Sequence, residues 1–278
     1  MTIDYLLIGN ITKDLIPGGS TPGGTALYSA LTAQRLGMRV GLVTCVPDAD
    51  FVRKLLPGVE LHVLPAEQRS TFENRYWGND RLQIIHHVAP AVMVEDVPVA
   101  WRQAPIVHLG PIALEADHGL IGAFPNSTVC ATPQGWMRKW DAEGIVSYAP
   151  LDNVKSLFAP LDILVFSAED VNYDSDAINE LIESVPVAVV TEARDGAIVY
   201  TKEGNRSIPG RPANVVDPTG AGDVFATAYF VRFAQSRDPY ESAAFANVVA
   251  SLSIEHQAAK GIPTYAEAAA WLAAHREK

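Results

Sequence analysis

The chain of 278 residues has only two cysteines, Cys45 and Cys130, each in an apolar stretch and without C-x-x-C spacing. A disulfide framework and a thiolate zinc site are therefore excluded, leaving two reduced structural thiols. No apolar run reaches the roughly 18 residues that a membrane span needs, and the opening MTIDYLLIGN lacks a basic region followed by a sustained apolar stretch. A cytoplasmic protein without membrane contact is expected. Clusters of lysine and arginine are also missing, and the net charge is −11, which argues against a nucleic-acid partner. There is no Walker A string, no protein-kinase catalytic loop, no internal repeat and no Pro/Gly/Ser-rich linker. With 48% apolar residues the chain can bury one large core, so a single domain over 1–278 with an insertion is expected.

Among what is present, Asn214 to Phe233, NVVDPTGAGDVFATAYFVRF, is the stretch around which the rest is organised. Apolar residues at Ala221, Val224, Phe225, Ala228 and Val231 recur at the spacing of one buried helical face, and Asp223 falls off that face in the first turn. A helix start leaves N–H groups without intrahelical partners and carries partial positive charge, so the loop Gly220-Ala221-Gly222 can hold an anion. Asp223 would repel a phosphate but can take the proton from a hydroxyl that attacks one. That is a phosphoryl-transfer arrangement. The alternative is a tight Gly-x-Gly turn followed by an acid that merely favours a helix N-terminus.

The string Asp217-Pro218-Thr219-Gly220-Ala221-Gly222-Asp223 resembles the C-terminal signature of the PfkB family of carbohydrate kinases, usually Asp-Thr-x-Gly-Ala-Gly-Asp, with Pro218 in place of Thr. The resemblance implies Asp223 as catalytic base and the amides of Gly220, Ala221 and Gly222 as an anion hole for the migrating γ-phosphate. It also implies ATP and Mg²⁺, a monovalent cation such as K⁺ near Asp217 and Thr219, and pairing of two copies through their lids.

Along the chain, the apolar run Tyr5–Gly9 reads as a buried strand ending in Asn10, Thr12 and Asp14. A carboxylate such as Asp14 can accept from two adjacent hydroxyls of a polyol, or can be a solvated loop residue. The family places its sugar at this point, which brings in Asn10 and Asp14 as substrate-binding residues. Gly23-Gly24 before a helix matches the family's Gly-Gly-x-x-x-Asn, with Tyr28 where Asn is common. Tyr28 therefore either faces substrate or packs the helix. Arg39–Val46 completes a βαβ unit, and Asp48 and Asp50 start the next helix. Segments 59–64, 70–77 and 82–88 read as antiparallel strands with a turn at Gly78-Asn79-Asp80. In the family such strands, here about 59–95 together with 11–22, form a lid over the sugar.

Beyond residue 106, strands and helices alternate in the doubly wound pattern, with a helix expected at 115–124. The resemblance implies a ribokinase-like three-layer α/β/α fold with a mostly parallel central sheet and a small β-sheet lid. By the same resemblance Arg138 is placed near substrate, and Ser167-x-x-Asp170, with Glu169 beside it, stands at the family's magnesium-ordering motif. Either acid can equally be a helix N-terminal residue. The resemblance also implies that Thr191 and Gly196 fall near the nucleotide phosphates together with Thr219, and that Asn247, a poor helix former, lies on the helix that borders adenine.

These residues point to an ATP-dependent kinase acting on a hydroxyl of a small sugar or cyclitol. A kinase of a nucleoside or other non-sugar alcohol is the second reading, and a non-catalytic sugar or nucleotide sensor the third.

Overall fold

The computed structural model describes residues 2–78 and 80–275. Strand β1 (Tyr5–Ile8) is buried throughout, as its uninterrupted apolar sequence requires. The chain then leaves as a hairpin, β2 (Thr12–Ile16) and β3 (Gly19–Gly23), and returns through α1 (Thr25–Arg35) to β4 (Val40–Val46), parallel to β1. Asp48 caps α2 (Ala49–Leu55), accepting from the N–H groups of Asp50 at 2.9 Å and Phe51 at 3.2 Å. Strand β5 (Glu60–Pro65) follows, parallel to β4 at the edge of the main sheet. This corrects the assignment of 59–64 to the antiparallel insertion. Leu61 and Val63 pack on one face of the main sheet and Leu64 on the other, and such a half-buried edge strand shows the same alternation as a lid strand.

Strands β6 (Thr71–Trp77) and β7 (Asp80–His87) join the first hairpin in a separate four-stranded sheet, ordered β3-β2-β6-β7. It is antiparallel within each hairpin and parallel where β2 meets β6. Asn79, expected at the turn, lies outside the described residues.

Then come β8 (Ile106–Leu109) and β9 (Thr128–Ala131). The helix expected between them is only a 3₁₀ turn, His118–Gly122. Gly119 and Gly122 weaken a longer helix, and Glu115 turns back to accept from the N–H groups of Ile112, at 2.8 Å, and Ala113. A ribbon of β10 (Arg138–Trp140) and β11 (Val146–Tyr148) precedes α3 (Val154–Phe158), β12 (Ile163–Ser167), α4 (Ser175–Glu183) and β13 (Val187–Thr191). The antiparallel pair β14 (Gly196–Thr201) and β15 (Gly204–Pro209) closes one edge, and α5 (Ala221–Ser236), α6 (Pro239–Ser253) and α7 (Tyr265–Ala274) complete the chain.

The main sheet runs β15-β14-β13-β12-β9-β8-β1-β4-β5 and is parallel from β13 to β5. Successive side chains face opposite ways: Tyr5 and Leu7 pack with α1, α5 and α6, Leu6 and Ile8 with the layer that carries α3 and α4. Three layers, α/β/α, result. Strand order reverses between β1 and β8, and ligands of open α/β sheets gather outside the carboxyl ends of strands at such a point. Helix α1 begins there, with Thr25 against Gly110, and α5 packs beside α1.

Candidate active site

The loop before α5 is a tight turn. Ala221 donates its N–H to the carbonyl of Pro218 at 3.1 Å, and Gly220 has φ 77° and ψ 4°. These are the values of the third residue of a type II turn, a left-handed conformation that favours glycine. The ring of Tyr28 lies over the same residue: a Cβ at position 220 would come within 2.4 Å of the ring's Cγ and Cδ1. Tyr28 is thus buried packing between α1 and the turn, and its raised hydroxyl pKa follows from that burial and from Asp217, Asp223 and Asp14 nearby. The Ala221 amide is engaged, so of the three N–H groups expected to meet an anion only those of Gly220 and Gly222 have no partner among the described residues.

Asp223 stands in the first turn of α5, and its carboxyl pKa is raised to about 6. Burial is the largest cause and Asp170 adds to it, while the Thr25 hydroxyl and Arg138 act the other way. Arg138 is itself buried, donates from Nη1 to the carbonyl of Ile112 at 2.8 Å and lies over the Phe72 ring at 5.7 Å. Desolvation lowers its pKa to about 10 against the pull of Asp170, so it stays charged. Asp170 accepts from the Ser167 N–H at 2.9 Å and the Gln134 amide at 2.6 Å, which is the capping geometry of its short helical turn. Glu169 is exposed and lies 3.4 Å from Arg81.

On β2, Asp14 accepts the Thr12 hydroxyl at 2.8 Å and sits on the backbone of Gly23, where a Cβ would fall 2.1 Å from its Oδ2. Burial raises its pKa, while Thr12 and Arg69 pull it down. Gly24, with φ 86°, is the residue before α1. Asn10 is fully buried, and its Oδ1 accepts from the Cys45 N–H at 2.7 Å and the Thr44 hydroxyl at 3.1 Å, so it latches the end of β1 to β4.

Farther along the crevice, Asp217 accepts from the N–H groups of Thr219 at 3.0 Å and Ala258 at 2.9 Å. These bonds outweigh its burial and lower its pKa. Asp217→Asn would turn an amide toward one of these donors. About 1–2 kcal/mol of stability is expected to be lost, read as a lower urea midpoint. Thr191 ends β13 half-buried, and Gly196 is buried under the Ile208 carbonyl, a packing reason for its glycine. Asn247 donates to the carbonyls of Ile208 at 3.0 Å and Pro209 at 3.1 Å, which explains a poor helix former inside α6.

Sequence reasoning missed Thr25, Glu115, Gln134 and Arg69. Thr25 adjoins the Gly-Gly pair, a signal that was available. Glu115, Gln134 and Arg69 carried none, because each takes its position from a segment distant in sequence or from an irregular loop.

Residues 158–264 match the model of the pfkB family carbohydrate kinases. Over those residues the chain is similar to the pfkB family. Among curated relatives, a cytidine kinase of Thermococcus kodakarensis is 25% identical over 263 residues, covering 84% of this chain and 90% of that protein. A ribokinase of Bacillus subtilis is 24% identical over 256 residues, covering 88% and 85%. By fold, the chain is similar to a pyrophosphate-dependent kinase of the ribokinase family complexed with a pyrophosphate analog and myo-inositol, with a TM-score of 0.79, 21% identity and coverage of 96% and 99%. The matched family is one of carbohydrate kinases, and kinases of this family use ATP and usually Mg²⁺.

Among the described residues, no group of three or more His, Cys, Asp or Glu side chains could hold a metal by itself. The carboxyls of Asp170 and Asp223, set against one arginine, suit an ion carried in largely by donor phosphates and water. Mg²⁺ bound there would neutralise charge on the transferring group.

Proposed function

We propose that this protein is a kinase of the pfkB type that transfers the γ-phosphoryl group of ATP to a hydroxyl of a small sugar or cyclitol, with Asp223 as base. One observation carries the reading: a carboxyl with a pKa near 6 stands in the first turn of a helix, beside free N–H groups on Gly220 and Gly222. The hydroxyl oxygen attacks the γ-phosphorus as its proton passes to Asp223, and the bond from phosphorus to the β,γ-bridging oxygen breaks to release ADP. The two N–H groups and Arg138 stabilise charge on the transferring oxygens. Asp14 accepts two hydroxyls of the acceptor and fixes which third one reaches Asp223. The small sheet closes over the crevice and excludes water, which would otherwise compete as acceptor. Val215 and Val216, 61% and 58% exposed just before the turn, offer an apolar shelf that an adenine would cover and pyrophosphate would not. The cytidine kinase relative favours a nucleoside as the second reading of the acceptor.

The test is ADP release from Mg²⁺-ATP with hexoses, pentoses, cyclitols and nucleosides in turn, with Mg²⁺-pyrophosphate as a parallel donor. Stimulation by one acceptor with ATP supports the reading. Binding without turnover throughout would replace it with a sensor. With the acceptor in hand, kcat/KM is expected to rise with pH, half-maximal near pH 6, and to level off above pH 7, because Asp223 accepts a proton only when ionised.

A further inference from the structure

Arg69 stands just before β6, in a segment joined to β2 by the Lys13 N–H, which donates to the Ser70 carbonyl at 2.9 Å. One residue further along β2, Asp14 pairs with Phe72 of β6. The guanidinium carbon of Arg69 lies over the Phe51 ring, 4.3 Å from its centre. Its Nη1 is shut off from solvent and has no hydrogen-bond partner among the described residues, while the residue as a whole is only half-buried. Asp14 and Asp48 act on its charge through space, without a hydrogen bond to it. A guanidinium partly stripped of water favours an anionic partner, and a carboxylate or phosphate that reaches its N–H groups other than the enclosed Nη1 can accept two parallel bonds.

Resting on the kinase reading above, we propose that the acceptor is an anionic polyol: its hydroxyls go to Asp14 and its carboxylate or phosphate to Arg69. Asp14 has only acceptor atoms when ionised and Arg69 only donors, so together they select a molecule that bears both hydroxyls and an anionic group close by. A neutral sugar would leave Arg69 unanswered.

The experiment uses matched pairs, D-gluconate with D-glucose and D-ribose 1-phosphate with D-ribose, on wild type, Arg69→Gln and Arg69→Lys. ADP release and the ligand-induced shift in melting temperature are both read. In wild type, the anionic member of at least one pair is expected to have kcat/KM about 30-fold or more above its neutral partner, and to raise the melting temperature further. Arg69→Gln should reduce the anionic-to-neutral ratio at least tenfold, with Arg69→Lys restoring part of it. The pair that responds distinguishes carboxylate from phosphate. Equal treatment of both members by wild type, or a ratio unmoved in Arg69→Gln, would make Arg69 a strut balancing Asp14 and Asp48 and overturn the proposal. Absence of ADP release with every polyol would count against the kinase reading instead, and the melting shifts would still decide the part of Arg69.

Discussion

Asp223→Asn is expected to lower kcat by a factor of about 100 or more with the cognate acceptor, because general-base catalysis contributes roughly that much and the amide cannot take the proton. The acceptor KM should move little, since Asp14 and not Asp223 is the group assigned to holding hydroxyls. The same variant carries a second, opposite signature. A carboxyl whose pKa is raised from 3.8 to about 6 on folding is bound to its proton more tightly in the native state. Its stabilising contribution is full below pH 4 and is lost as pH rises through 6. Asn has no such loss, so Asp223→Asn should melt above wild type at pH 8, by at most about 3 kcal/mol, and the advantage should fade toward pH 4. Loss of activity without that gain in stability would mean that the carboxyl is not desolvated as the crevice requires.

Gly220→Ala is expected to be the most damaging single methyl group. The left-handed backbone at φ 77° costs a residue with a Cβ about 1–2 kcal/mol. The Tyr28 ring, 2.4 Å from that Cβ, must also move or force the turn open, and overpacking of this kind adds typically about 1–3 kcal/mol. A combined loss of about 3 kcal/mol or more should appear in urea unfolding, together with a fall in kcat, because the turn that presents the Gly220 and Gly222 N–H groups is displaced. Tyr28→Ala removes the obstruction while leaving the backbone cost. The double variant should therefore be less destabilised than the sum of the two single changes, by about 1 kcal/mol or more. Strict additivity would show that the ring does not rest on the turn.

Much of this site was legible in the sequence for one physical reason: the Thr219 to Asp223 string is local, and its chemistry needs only a turn, a helix start and one carboxylate. The apolar run of β1, the Asp48 cap and the alternation of strands and helices are local signals too, so the doubly wound α/β pattern could be read from them, while the three-layer form with its lid rested on the family resemblance. Legibility ended where a residue takes its role from a distant partner. Tyr28 could not be divided between ligand and packing until Gly220, far along the chain, was seen beneath its ring. Asp170 could be read as a magnesium residue or as a helix N-terminal acid, and only the fold shows that its oxygens accept from the Ser167 N–H and the Gln134 amide, so that an ion would reach it through water, while Glu169 stands exposed beside Arg81. Residues 59–64 misled because an edge strand of a covered sheet and a strand of a small open sheet share the same period. Arg69 gave no signal at all, since a lone arginine between strands is ordinarily a solvated surface residue.

The packing of α1 on α5 also bears on biosynthesis. Helix α1 emerges early with Leu27, Tyr28 and Ala30 needing cover, yet α5, which supplies it, lies in the last quarter of the chain. Throughout most of translation that face has no native partner, so a ribosome-bound chain truncated before Ala221 is expected to be sticky, dependent on holding factors and unable to recognise its acceptor.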